Sequence, residues 1–151
     1  MNRTLILRFA FPITLIAFAL FTKWWLVDVV DGTDGLMYGF PFIYRAPAFY
    51  TSMAEEYFMD ALAADFIIYF GIVTGIIYSV NRWVSAITVK KGFSVVLFVI
   101  ALLLIGFRTA FTLMPENRFS LTRDYDIVIR QTGIEFPGND RDRSAFDDRH
   151  K

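Results

Sequence analysis

The stretch DFIIYFGIVTGIIY, residues 65–78, is almost entirely apolar, yet it opens with a carboxylate. It lies within an apolar block from Ala61 to Val80, and two similar blocks run from Leu5 to Leu26 and from Phe93 to Met114. Each has about 20 residues, the length a helix needs to cross ~30 Å of hydrocarbon. The chain has 151 residues and is 56% hydrophobic, and the apolar excess is concentrated in these blocks. The sequence therefore predicts an all-α integral membrane protein with three transmembrane helices.

Charge between the blocks predicts the orientation, because lysine and arginine are retained on the cytoplasmic side of a membrane. The connector of residues 81–91 holds only basic charges: Arg82, Lys90 and Lys91. The connector of residues 27–60 holds six acids against one base. We therefore expect a bacterial-type inner membrane, a cytoplasmic N-terminus, residues 27–60 outside, residues 81–91 inside and the C-terminal tail outside. Residues 1–19 also fit a cleaved signal peptide with the small-x-small pattern Ala17-Phe18-Ala19.

Local signals refine the two outer segments. Ser52 is followed three residues later by Glu55, a capping box that predicts a start of the second helix near Met53. In the outer tail, residues 115–137, the alternating YDIVIR followed by Gln-Thr-Gly predicts a short β-hairpin. Residues 138–151 are rich in charges of both signs, so disorder is expected there.

The second and third predicted spans each contain one charged residue, Asp65 and Arg108, and a charge there is costly unless it is paired or faces water. Asp65 is about five residues inside the outer end of the second span, and Arg108 is six or seven residues inside the outer end of the third. Both lie about 8–10 Å below the same boundary at 1.5 Å per residue. The sequence therefore predicts an ion pair between Asp65 and Arg108, with Lys23 as a competing partner.

Two further patterns predict contact surfaces. Six aromatic residues of the outer connector cluster around two prolines: Tyr38, Phe40, Phe42, Tyr44, Phe49 and Tyr50. Such rings either sit at headgroup level beside a bilayer or form a binding surface for a partner protein. In the second span, Gly71 and Gly75 form a small-xxx-small pair, which favours close packing of two helices.

The residue inventory excludes several kinds of chemistry. The chain has no cysteine and one histidine, His150. It carries no phosphate loop, catalytic triad or dinucleotide fingerprint, and no basic nucleic-acid patch. No cofactor or metal site is therefore predicted. We expect a non-catalytic accessory or assembly subunit of a larger membrane complex, whose partners are the lipid bilayer and other membrane protein subunits. The alternative is an oligomeric ion- or proton-translocating unit that uses Asp65 with Arg108.

Overall fold

The structure, a computed structural model, describes residues 3–30, 35–48 and 54–135. It combines helices with a six-stranded mixed sheet, so the predicted all-α fold with three transmembrane helices is wrong and the class is α+β. The chain divides into two compact units. The helical unit comprises residues 1–20 and 66–111, and the sheet unit comprises residues 21–65 and 112–151.

Three helices account for the apolar blocks. Helix α1 consists of an α-helical turn Arg3–Leu5, a π-helical stretch Ile6–Ala10 and an α-helical segment Phe11–Leu20. Helix α2 covers Met59–Ser79 and continues as a π-helical stretch Val80–Val84. Helix α3 covers Lys91–Thr112. Among the described residues, α2 with its extension and α3 are long and apolar enough to cross a membrane, whereas α1 is shorter.

The π-helical stretch of α1 has its cause in Pro12. Proline carries no backbone N–H, so it cannot donate to the carbonyl of Arg8 four residues earlier. The register changes there, and the N–H of Phe11 donates to the carbonyl of Ile6, five residues back. The freed carbonyl of Arg8 instead accepts a hydrogen bond of 2.9 Å from the Ser94 hydroxyl of α3. Serine on a neighbouring helix commonly satisfies a backbone group freed by proline in apolar surroundings.

Within the helical unit, α1 runs parallel to α3. Ser94, near the start of α3, contacts Arg8, whereas Arg108, near its end, donates to the Ala19 carbonyl at 2.9 Å. The last carbonyls of a helix have no intrahelical partner and carry partial negative charge. The Arg108 guanidinium therefore caps the C-terminal end of α1. Aromatic contacts between Phe11 and Phe98 lie between these two polar contacts.

The first predicted span, Leu5 to Leu26, is wrong in its last six residues. Helix α1 ends at Leu20, and strand β1 covers Thr22–Val29. The strand sequence TKWWLVDV is rich in β-branched and aromatic residues, which fit a pleated sheet. Hydropathy alone does not distinguish the apolar helix from the apolar strand, because only one residue, Phe21, separates them. Trp24 and Trp25 are thus residues of strand β1.

After β1 come β2 Gly35–Tyr38, β3 Arg45–Pro47 and β4 Glu55–Phe58, and each pairs antiparallel with its predecessor. After α3, β5 Arg118–Ser120 adds parallel to β4, and β6 Ile127–Glu135 adds antiparallel to β1. The sheet therefore has the strand order β5-β4-β3-β2-β1-β6. The register shifts between Leu26 and Val27 of β1.

Two local predictions fail in this unit. Glu55 belongs to β4 and α2 begins at Met59, so the capping box does not start the helix, and Ser52 and Met53 lie outside the described residues. The predicted tail hairpin is one continuous strand, because Gln131-Thr132-Gly133 pairs along β1 instead of turning. Residues 138–151 also lie outside the described residues.

One face of the sheet forms the core of the unit. Its fully buried side chains are Val27, Met37, Ala46 and Phe58, and partly buried residues including Ile43 and Ala61 pack against them. Ala61 belongs to the first turn of α2, so the core fixes the start of this helix against the sheet. The candidate site lies beside this point.

Candidate functional site

The loop between β2 and β3, residues 39–43, is here called the aromatic turn. Its sequence is GFPFI, and the N–H of Tyr44 donates to the carbonyl of Tyr38 across its base at 3.0 Å. Gly39 has φ +147°, and a Cβ there would lie 1.9 Å from the carbonyl oxygen of Phe42. Only glycine fits this conformation. The Trp25 indole N–H donates to the Gly39 carbonyl at 2.8 Å, which ties the turn to β1.

Asp65 of α2 is held by the same turn. The N–H of Phe40 donates to Oδ2 at 2.7 Å, and the N–H of Phe42 donates to Oδ1 at 2.9 Å. The Asp65 side chain is completely buried. Hydrogen bonds from backbone N–H groups to a carboxylate are among the stronger ones in proteins. Asp65 therefore anchors the aromatic turn to the helix, a role that was not among the sequence predictions.

The predicted aromatic cluster separates into different environments. Phe40 and Phe42 project from the turn and are 43% and 51% exposed. Tyr38 and Tyr44 flank the turn and are half-buried, and the Arg45 guanidinium lies 4.2 Å from the centre of the Tyr38 ring. Phe49 and Tyr50 lie outside the described residues. Only the two phenylalanines at the tip of the turn combine an apolar side chain with high exposure among these described aromatics.

The other charged residues that were predicted to lie in spans have contacts of their own. Arg108 donates to the Ala19 carbonyl at 2.9 Å in the helical unit. The Lys23 ammonium lies 3.9 Å from the centre of the Trp25 ring in the sheet unit. Asp65 and Arg108 belong to different units. The ion pair between them stays a prediction.

Gly71 and Gly75 lie on α2 and are exposed. A Cβ built on either glycine would meet none of the described atoms within 4 Å. The predicted packing face is therefore open within the described part of the chain, and its use by another helix stays a prediction.

A cavity of about 470 Å³ opens next to the aromatic turn. Its walls are mostly apolar, and its polar lining residues include Asp60 of α2 and Arg123 of the segment between β5 and β6. The full lining is Phe42, Ile43, Phe58, Asp60, Ala61, Ala64, Thr122 and Arg123. The backbone N–H of Asp60 donates to the Leu121 carbonyl at 3.1 Å, so this segment closes over the start of α2.

Polar contacts join β4 to its two neighbouring strands, β3 and β5. The Tyr57 hydroxyl donates to Glu55 at 2.6 Å, and Arg45 lies 3.4 Å from the same carboxylate. On the opposite face of the strand, buried Glu56 accepts a hydrogen bond from the Ser120 hydroxyl and lies 3.5 Å from Arg118. Glu55, read from the sequence as part of a capping box, and Glu56 are thus strand residues that join β4 to β3 and β5.

Two tyrosines of this region have shifted acidities. Burial raises the pKa of Tyr57, and its hydrogen bond to Glu55 raises it further. Burial, with the negative charge of Glu56, raises the pKa of Tyr125 to about 12. Both hydroxyls therefore stay protonated at neutral pH and can donate hydrogen bonds but not act as bases.

Among residues 3–30, 35–48 and 54–135, no three His, Cys, Asp or Glu side chains come together in a way that could hold a metal ion.

The missed site had a weak signal in the sequence. Gly39-Phe40-Pro41 is a turn pattern between two β-rich stretches. A carboxylate that is isolated in an apolar helix needs donors, and a backbone turn can supply them as well as an arginine can. The prediction that Asp65 pairs with Arg108 or Lys23 leaves out the backbone donors of Phe40 and Phe42.

The chain matches no protein-family model, and no significant match was found among characterised proteins or solved structures. Any functional conclusion therefore depends on the geometry of the chain itself.

Proposed function

We propose that this chain is a non-catalytic accessory or assembly subunit of a membrane protein complex, anchored by α2 and α3. The observation that carries the proposal is the outward orientation of the apolar side chains of both helices. Ile67 is 67% exposed on α2, and Leu103 and Phe107 are 69% and 67% exposed on α3. Such faces are stable against lipid or against other membrane helices, and they are costly in water.

The same geometry supports a topology. The connector of residues 85–90 lies between α2 and α3 and ends in Lys90, followed by Lys91, so we place it on the cytoplasmic side. The contact of Arg8 with Ser94, near the start of α3, places the basic N-terminal end of α1 at the level of this connector. Residues 27–60 and the tail that follows α3 then lie outside, because they are at the opposite ends of α2 and α3 from this connector.

The contacts of Asp65 favour this role over ion or proton transport. A transport carboxylate must be reached by its ion, whereas the Asp65 side chain is fully buried and each oxygen accepts a backbone hydrogen bond. Because these contacts give the carboxylate a structural task, its presence in α2 needs no transported ion as an explanation.

The open face at Gly71 and Gly75 is the surface that we assign to a partner helix. Small residues allow two helices to approach closely, which strengthens van der Waals packing in lipid. A Cβ at either position meets none of the described atoms within 4 Å, so larger residues are compatible with the fold of the chain itself.

Purification of the intact chain in a mild detergent, followed by native mass spectrometry, tests the proposal. We expect stoichiometric foreign membrane subunits in the purified particle. The double variant Gly71→Val with Gly75→Val should lose them while it still inserts into the membrane. The matched control is Ile72→Leu with Ile76→Leu, which changes neighbouring exposed positions of the same helix without changing their volume. A particle that contains only copies of this chain would contradict the accessory role.

A further inference from the structure

We propose that the aromatic turn inserts into the outer leaflet of the lipid bilayer, with Phe40 and Phe42 among the acyl chains and glycerol groups. This inference rests on the membrane anchoring proposed above and adds a second lipid contact, made by the sheet unit. It assigns to lipid the surface that the sequence also allowed for a partner protein.

The position of Asp65 sets the depth of the turn. Asp65 lies six residues after Met59, the first residue of α2, or about 9 Å along the helix axis. The apolar block begins at Ala61, and Asp65 is its fifth residue, so the carboxylate lies about 8 Å below the outer boundary of the ~30 Å hydrocarbon core. Because the amides of Phe40 and Phe42 lie 2.7 and 2.9 Å from the carboxylate, the turn reaches the outer part of the acyl chains.

The hydrogen bonding of the turn suits an environment without water. Non-helical backbone at membrane depth is tolerated only where its polar groups find partners in the protein. Phe40 and Phe42 donate to Asp65, Gly39 donates to the Lys23 carbonyl, and Tyr44 donates to the Tyr38 carbonyl. Pro41 has no N–H to satisfy, and the Gly39 carbonyl accepts from the Trp25 indole. Four N–H groups of the turn and its base, those of Gly39, Phe40, Phe42 and Tyr44, therefore find acceptors within the protein.

This arrangement also gives a reason for the carboxylate in α2. Within a regular helix each carbonyl already accepts from the N–H four residues further on. Asp65 supplies two acceptor oxygens at the depth where water does not. The exposed rings of Phe40 and Phe42 then meet lipid, while the polar backbone faces the helix.

Spin labelling tests the inference directly, because the natural sequence has no cysteine to remove. The variant Phe42→Cys carries a nitroxide in the full-length protein, reconstituted in vesicles of a zwitterionic phospholipid. Collisions with oxygen, which concentrates in lipid, are compared with collisions with a water-soluble nickel chelate. Leu103→Cys on α3 provides the membrane reference. Val128→Cys provides the water reference. Val128 pairs with Asp28 near the end of β1, and Thr22, where the strand begins directly after helix α1, is at the other end.

We expect the label at position 42 to be relaxed more strongly by oxygen than by nickel, as at position 103 and opposite to position 128. Strong relaxation by nickel at position 42, with oxygen dominant at position 103, would overturn the inference and leave the membrane anchor intact. Protection from both reagents at position 42 would also overturn it, in favour of a protein partner on the turn. Dominance of nickel at position 103 as well would refute the membrane anchor and the inserted turn together.

Discussion

Replacement of Asp65 by asparagine should break one of the two hydrogen bonds that hold the aromatic turn. Asparagine keeps one acceptor oxygen, but its amide group faces the second backbone donor and cannot accept from it. A hydrogen bond to a charged group contributes about 1.5–3 kcal/mol. We therefore expect Asp65→Asn to destabilise the turn by about 2 kcal/mol and Asp65→Ala, which removes both acceptors, by about 4 kcal/mol.

Hydrogen exchange followed by mass spectrometry measures this effect where it arises. The backbone amides of Phe40 and Phe42 donate to a buried carboxylate, so both should exchange slowly in the natural protein. A loss of 2 kcal/mol corresponds to about 30-fold faster exchange in a peptide that covers the turn. The larger loss in Asp65→Ala should accelerate exchange further.

Asp60→Asn is the matched control. Asp60 lies on the same helix but is exposed, and its carboxylate accepts from the N–H of the adjacent Ala61. Its loss should cost less than about 1 kcal/mol, the usual size of a helix-dipole contribution. Unchanged exchange of the turn in both Asp65 variants would refute the view that this carboxylate holds the turn in place.

The ion pair predicted between Asp65 and Arg108 makes a separate claim, which a double-mutant cycle can decide. If the pair forms, the losses of Asp65→Asn and Arg108→Gln should be coupled by more than about 0.5 kcal/mol, the usual limit of additivity for independent sites. Additive losses would mean that the two side chains do not interact and that each binds only its own backbone partners. Thermal unfolding of the three variants and the natural protein in one detergent provides the four values.

Three further outcomes follow from the described contacts. Gly133→Ala should destabilise the protein by about 1–3 kcal/mol, because a Cβ there would lie 2.5 Å from the buried Trp24 ring. Gly71→Ala meets open space and should not destabilise it, so equal melting temperatures of the two variants would contradict this explanation. Ser94→Ala should cost about 1 kcal/mol in the natural chain but less in a Pro12→Ala background, where a restored N–H can reach the Arg8 carbonyl; an equal loss in both would disprove the explanation of the π-helical stretch. The pKa of tyrosine is about 10 in an unfolded chain, and that of folded Tyr125 is about 12. Between these two pH values only the unfolded state releases the proton, so the free energy of unfolding should fall as pH rises. Tyr125→Phe should flatten this slope in an alkaline unfolding series.

The sequence predicted the parts of the fold that depend on long uniform composition. The second and third apolar blocks correspond to α2 and α3, because a predominantly apolar stretch of about twenty residues has few alternatives to a helix. The first block failed because an apolar helix and an apolar strand have the same hydropathy. Only the cluster of tryptophan, threonine and valine after Leu20 distinguishes them, and that cluster also fits a membrane interface.

The sheet could not be predicted for a different reason. Its longest pairing joins β1 with β6, strands that are about one hundred residues apart, as in the partnership of Asp28 with Val128. No local pattern specifies such a register. The candidate site has the same character: the bond from Phe42 to Asp65 spans 23 residues and uses a backbone donor, which every residue except proline has.

The strand order has a consequence for synthesis of the chain. Strands β1 to β4 form a meander from neighbouring segments, and the final two strands are added at its opposite edges, β6 beside β1 and β5 beside β4. Chains emerge from the ribosome N-terminus first, so both edges of the meander remain unpaired until residues 118–135 have been made. Open strand edges invite association with other chains. The nascent protein therefore passes through a stage at which α2 and α3 are complete while its sheet is still open to a chaperone, or to another nascent copy, on both sides.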